Sequence, residues 1–446
     1  MNSAGEETVS GLALEKPVVS PLGAIAAVTV GNALEFYDFL TYSFFAIQIG
    51  HAFFPSESAY GSLMLSLATF AAGFVTRPLG GIVIGSISDR AGRKAGMMLS
   101  FTLMGGAVAA MALIPPYARI GITAPVLVVL TRMVMGFALG GEVGPTTAYL
   151  LESAPVENRG LMAAWQGASQ MIAAIAGGLV GFVLSRTLRP EALDSYGWRI
   201  AFLLGAVTVP FGLWIRSRLP ETLEVLEEAA AFVSKAPTRL GAALDCRRIM
   251  VLGLLVMASN TISTYGRIYM TTFAQATLHM AMGPAFAVAA FGNLVAFAGY
   301  LLGGALSDRI GRRPVMIWPG LAVILIIYPV FIWMVGSRST LALLAGTGLL
   351  SLPLGMMAGA FYAAFAESLP KSIRGGAFGT LYAVSIAAFG GTCQLVMTWL
   401  IHITGNPMAV AWYLLAAAGV GLVAVLMFPE SAPVSRRLNP HSPSVR

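Results

Sequence analysis

Along most of the chain the apolar residues neither alternate as in a half-buried strand nor keep to the single stripe of a water-facing helix. They form unbroken runs of about 20 residues or more, the length a helix needs to cross a bilayer. Twelve such runs can be drawn: 22–49, 60–87, 96–115, 124–150, 162–187, 198–215, 249–275, 284–306, 314–335, 341–366, 376–402 and 409–428. The longest polar stretch, 216–248, separates the sixth from the seventh and contains ETLEVLEEAAAFVSKA, the pattern of an amphipathic surface helix. The pattern predicts an all-α polytopic membrane protein of twelve transmembrane helices in two six-helix pseudo-repeats. A tail (1–21) leads into one bundle (22–215); a linker (216–248), a second bundle (249–428) and a tail (429–446) follow.

Composition agrees: 57% of residues are hydrophobic and 11% charged, where a soluble domain carries about 25% charged residues. The formal charge of +7 does not mark a nucleic-acid binder, because no basic patch is interleaved with aromatics. Cations instead gather in the loops on one side. With the N-terminus in the cytoplasm, nineteen Lys and Arg fall inside and five outside, so both termini are expected inside a bacterial inner membrane, with the lipid bilayer as a partner. Cys246 and Cys393 suggest neither a disulfide framework nor a metal site. The tail carries Glu6, Glu7, Glu15 and Lys16 and lacks the form of a cleaved signal peptide.

The halves repeat each other. SDRAGRK (Ser88–Lys94) recurs as SDRIGRR (Ser307–Arg313), and Glu152 with Arg159-Gly160 recurs as Glu367 with Arg374-Gly375. An acid among clustered guanidiniums forms charge-assisted pairs that hold one conformation and break for the other. A gate on the inner face is therefore expected from Asp89, Arg90, Arg93, Glu152 and Arg159 in one half. Asp308, Arg309, Arg312, Glu367 and Arg374 are its counterparts in the other.

Six ionisable residues sit well inside apolar runs: Glu35, Asp38, Arg77, Arg132, Glu142 and Arg267. Charges within a membrane are costly and point to function by default. Glu35 and Asp38 lie in GNALEFYDF (Gly31–Phe39), three apart and on one helix face. At 1.5 Å per residue, Asp38 lies about 25 Å up the first segment and Arg132 about 12 Å down the fourth. Both fall in the outer half, matched in depth for an ion pair. Arg77 lies near the membrane centre, placed to bind a substrate carboxylate or to pair with Glu35 or Glu142. Gln166 and Gln170 share a face of the fifth segment. Asn260, Ser263, Thr264 and Arg267 form a polar stripe on the seventh, with Tyr265 and Tyr269 beside it. Such a stripe must face a cavity rather than lipid.

The duplicated G-x-x-x-D-R-x-G-R-[RK] loop in a six-plus-six chain resembles the major facilitator superfamily. GNALEFYDF, RPLGG (Arg77–Gly81), RMVMGFALGGEVG (Arg132–Gly144), WQGASQ (Trp165–Gln170) and GWRIAFLLG (Gly197–Gly205) resemble its metabolite:proton symporter branch. FGGTCQLVMTWLIHITG (Phe389–Gly405) is similar to that branch's citrate and tricarballylate symporters. Two features depart from those members: Tyr269-Met270-Thr271-Thr272-Phe273 stands where they tend to have Y-x-P-T-F, and Arg267 stands where an uncharged residue is expected. The resemblance implies transport by alternating access and a proton-coupling role for Asp38 with Arg132; the buried positions of Glu35 and Glu142 make them further protonation candidates.

The expected function is proton-coupled symport of a small organic anion, a di- or tricarboxylate such as citrate or tricarballylate. The alternative is another metabolite of the branch: 2-oxoglutarate, shikimate, or a zwitterion such as betaine or proline. Substrate contacts are expected from Arg77, Gln166, Gln170, Asn260, Thr264, Arg267 and Tyr269. No Ser–His–acid arrangement, metal-ligand spacing or G-x-x-x-x-G-K-[ST] loop appears. An enzyme, an ATP-driven pump and a cofactor are therefore not expected. An ion gradient is the energy source, H⁺ first with Na⁺ open, and the working unit is a monomer.

Overall fold

A computed structural model describes residues 21–91, 93–141, 147, 150–151, 154–217, 240–370 and 374–432. Glu142, Glu152 and the linker segment 221–236 lie outside the described residues, as do the side chains of Asp89, Arg90 and Arg93.

Among the described residues the apolar runs form twelve long helices. In the first half α1 runs Pro21–Phe44 and continues as Ala46–Phe53, while α2 runs Ala59–Val75 and resumes as Arg77–Ala91. They are followed by α3 (Arg93–Leu113), α4 (Thr123–Ala138, extended by Leu139–Gly141), α5 (Arg159–Thr187) and α6 (Trp198–Ser217). The second half holds α7 (Leu240–Thr272, extended by a π-type turn, Phe273–Thr277), α8 (Met282–Ile310), α9 (Arg312–Ser337) and α10 (Thr340–Glu367). It ends with α11 (Arg374–Ser385, a π-type turn Ile386–Gly390, then Gly391–Thr404) and α12 (Ala409–Met427). With backbone groups satisfied within each helix, the apolar faces can meet lipid directly. Leu79, Ile82, Val207, Leu325 and Val423 lie exposed on that outer surface.

The two halves meet through related pairs. The heaviest contact is α5 against α8; its counterpart, six helices on, is α11 against α2, and α1 also touches α7 at the centre. Lipid tails give no hydrophobic drive for helix association, so close backbone approach at small residues supplies the attraction. Where α2 crosses α4, a Cβ on Gly136 would lie 1.5 Å from the Gly73 carbonyl oxygen. Gly136→Leu is expected to cost at least about 3 kcal/mol, because neither backbone can yield without parting the helices. Loss of folded protein in a detergent melting assay checks this. Gly106→Ala, where an added Cβ meets nothing within 4 Å, should leave the protein folded.

A glycine is also required between α8 and α9. Gly311 has φ 106°, a region that residues with a Cβ avoid. It turns the chain so that Arg312 enters α9 pointing back at the end of α8.

Candidate functional site

Between the halves lies a cavity. Helix α1 contributes Phe36 and α5 contributes Gln170 and Met171; α7 lends the stripe Asn260, Thr264 and Tyr265. Tyr300 of α8, Tyr362 of α10 and Tyr382 of α11 complete the wall. Gln170 Nε2 donates to the Tyr382 hydroxyl at 3.1 Å, tying the halves together. The Tyr300 and Tyr362 rings are nearly parallel, 21° apart with centroids 6.1 Å apart. Thus Gln170, Asn260 and Thr264 line the chamber as their helical spacing predicts. The three tyrosines Tyr300, Tyr362 and Tyr382 were not foreseen. Each sits alone in an apolar run, and the signal lies opposite: a Cβ on Gly167 of α5 would strike both Tyr300 and Tyr362.

Among the described residues, none that lines the chamber is charged. The arginines stand behind it. Arg77 is buried, with its guanidinium carbon 4.4 Å from the Phe39 ring centroid, 4.9 Å from Phe74 and 5.8 Å from Phe36. Phe36 lines the chamber, and the Phe74 ring meets chamber-lining Tyr265 edge-on at 5.4 Å. Arg77 is therefore one ring's thickness from the chamber. Arg132, fully buried, stacks on the same Phe39 ring at 4.3 Å and on Tyr42 at 4.5 Å. Such contacts return about 0.5–2 kcal/mol each, well short of the cost of burying an ion. Nε and Nη2 of both arginines have no hydrogen-bond partner among the described residues.

The ion pair expected from depth, Asp38 with Arg132, is not made in this structure. Asp38 is 1% exposed and its Oδ1 has no hydrogen bond among the described residues. It faces α6, where a Cβ on Gly205 would collide with its carboxylate. The neighbouring residue, Phe39, fills the place beside Arg132. Successive helical side chains point about 100° apart, so equal depth does not bring residues 38 and 132 together without rotation of α1. Glu35 is buried on the same helix.

Of the other expected contacts, Arg267 does not line the chamber but reaches the back of its wall at Met171. Its Nε donates to Asn293 Oδ1 at 3.0 Å and its Nη2 lies 3.0 Å from Met171 Sδ. Tyr269 points into the second bundle and shares a hydrogen bond with Thr398 at 2.9 Å. Gln166 is buried, and neither its Oε1 nor its Nε2 is hydrogen-bonded among the described residues.

The chamber is closed at both ends. At the end carrying the repeated loops, the Asp308 carboxylate accepts from the backbone N–H groups of Gly160 (2.8 Å) and Leu161 (2.9 Å), which open α5 in the other half. Arg312 donates to Asp308 at 2.7 Å and to Glu367 at 2.9 and 3.1 Å. Glu430 and Ser431, absent from the sequence-based list, extend this latch. Glu430 accepts from the backbone N–H groups of Arg312 and Arg313 at 2.9 Å each, and Ser431 donates to Glu367 at 2.8 Å. Arg309 points outward, Arg159 makes no ion pair among the described residues, and Arg374 reaches the Leu369 carbonyl.

At the opposite end, Tyr60 and His402 stack across the halves with centroids 3.7 Å apart. Gln394 donates to Ser43 and Gln48 to Gln275. Within the first half His51 meets Asp194 at 3.0 Å. The hydrogen bond to that carboxylate raises the imidazole above its usual value, with burial opposing. The resulting stabilisation is full below about pH 6.5 and fades as the pH rises through the shifted value; half-exposed, it is worth at most about 1 kcal/mol.

A family model described as sugar (and other) transporter matches residues 24–244, and one described as major facilitator superfamily matches residues 286–445. The chain is 36% identical over 412 residues to a citrate-proton symporter of Salmonella typhi, covering 91% of this chain and 93% of that protein. It is 34% identical over 413 residues to the alpha-ketoglutarate permease of Escherichia coli K12, with the same coverage of each. A proline/betaine transporter of Salmonella typhimurium is 30% identical over 427 residues, covering 92% of this chain and 83% of that one. The crystal structure of a D-xylose-proton symporter superposes with a TM-score of 0.74 at 17% identity, covering 93% of this chain and 98% of that chain. Duplicated loop motif, central chamber between the halves and relatives matched along most of their length agree: the chain belongs to the major facilitator superfamily, in its metabolite:proton symporter branch.

Proposed function

We propose that this carrier is a proton-coupled symporter importing a di- or tricarboxylate of the citrate or tricarballylate kind across a bacterial inner membrane. The latch end and both termini then face the cytoplasm. The observation that carries the substrate class is Arg77, a buried guanidinium one ring from the chamber with Nε and Nη2 unsatisfied among the described residues. A carboxylate accepts two parallel bonds from such a group. Gln170, Asn260, Thr264 and the chamber tyrosines orient the remaining oxygens, with Gln166 in reserve behind them. The citrate-proton symporters among the relatives agree with this class. The chain works as a monomer and draws on the proton gradient, without a cofactor.

Asp38 carries the proton. A carboxyl enclosed with no cation is accommodated as the neutral acid, which fits this closed state. In the partner state α1 turns Asp38 toward Arg132, and the ion pair forms as the proton leaves. Glu35 and Glu142 are the further protonation sites.

A second reading rests on the five aromatic rings of the chamber, Phe36, Tyr265, Tyr300, Tyr362 and Tyr382. Aromatic walls also suit a quaternary ammonium, and a proline/betaine transporter is among the relatives. Counterflow in proteoliposomes separates the two. Unlabelled citrate or tricarballylate on the far side should accelerate entry of the labelled acid, and Arg77→Lys should weaken binding at least about tenfold by losing the fork geometry. Acceleration by betaine and by no carboxylate would reverse the assignment.

A further inference from the structure

A second cavity lies wholly within the second half, among α7, α9, α10 and α12. It shares no lining residue with the central chamber. Its walls are mainly apolar, including Val323, Ile327 and Phe331, but Arg267, Thr347 and Ser351 open onto it. The three side chains lie together around Gly292, where an added Cβ would lie 2.6 Å from the Thr347 methyl, 3.6 Å from Ser351 Oγ and 3.7 Å from the Arg267 Cδ methylene. A glycine at 292 is what leaves room for the cluster.

Arg267 is 6% exposed. Its bonds go to an amide oxygen and to a thioether, a weak acceptor. No carboxylate pairs with it among the described residues. Thr347 is 3% exposed, and its hydroxyl has no hydrogen-bond partner among the described residues. A buried guanidinium with only neutral acceptors leaves its charge uncompensated, and the groups beside it are hydroxyl donors rather than acids. That donor set suits an anion and repels a cation. Beyond Ser263, whose hydroxyl already donates to the Ser259 carbonyl, the remainder of the wall is apolar and offers nothing to the further oxygens of a polyacid.

We propose that Arg267, Thr347 and Ser351 form a binding site for one small inorganic monoanion of halide size, separate from the transport chamber. The bound ion neutralises Arg267 and stabilises the second bundle.

The test uses the full chain, purified in gluconate buffer at fixed ionic strength. Adding chloride or bromide should raise Tm by roughly 3–8 °C at saturation. Arg267→Gln should abolish the rise. Thr347→Val, which keeps the volume and removes only the hydroxyl, should shift half-saturation several-fold upward and carries the test if Arg267→Gln does not fold. A wild-type Tm indifferent to halide, or a halide response intact in both variants, overturns the proposal. So does a rise produced by acetate or tricarballylate but not by halides, since that would give the site to a carboxylate. Counterflow of citrate bears on the transport reading alone and stands or falls separately.

Discussion

Asp38→Asn should abolish uphill uptake driven by a pH gradient while leaving exchange of labelled for unlabelled substrate intact. The carboxyl is enclosed, without a hydrogen bond at Oδ1, and faces Gly205 rather than Arg132. Asn is isosteric with the neutral acid, so the closed state and its packing survive. What is lost is the ionised form that would pair with Arg132. With one proton per substrate, each pH unit is worth about 1.36 kcal/mol, or tenfold accumulation. The variant should therefore settle at equal concentrations inside and out. Arg132→Gln should behave alike, whereas an Asp38→Asn protein that still concentrates substrate would place proton coupling on Glu35 or Glu142.

Asp308→Ala should disable the latch. One carboxylate holds Gly160, Leu161 and Arg312 together. Removing it leaves two helix-start N–H groups unanswered and takes one of two carboxylates from Arg312, whose Nη1 then keeps only the Ser307 hydroxyl; breaking a buried pair in this way costs about 3–5 kcal/mol. The halves should then part at that end, and steady uptake should fall at least about tenfold. Ala164, fully buried where α5 meets Gly304, reports the opening once replaced by Cys and probed with an impermeant maleimide from the latch side. Unchanged labelling together with unchanged uptake would reduce the latch to a topological anchor. Glu430→Gln should have a weaker effect, because it caps α9 without touching the first half.

Position along a membrane helix is legible in a sequence; direction around it is not. Residue counting places Asp38 and Arg132 at matching heights, and buried charges announce themselves against an apolar background. The angle between Asp38 and Phe39 depends on how α1 packs against α6, which no local pattern specifies. Arg267 shows the same limit: its stripe faces the chamber at Asn260 and Thr264, but a turn further on it bonds Asn293. The latch was visible because its motif occurs twice. Glu430 and Ser431 were not, being two polar residues at the end of an apolar run. The tyrosines were hidden by chemistry, since one Tyr in an apolar helix reads as core until its neighbours are known.

Glu430 and Ser431 also have a consequence for biogenesis. They close the hydrogen-bond chain that runs through Glu367, Arg312 and Asp308 to the start of α5, yet they follow the last membrane helix. Ten helices can be inserted before α11 and α12 exist, and throughout that period Arg312 and Arg313 lack their cap. The order of translation thus postpones full locking of this end until the ribosome has passed Ser431. Chains cut short before that point are left with a loosened latch for membrane proteases to find.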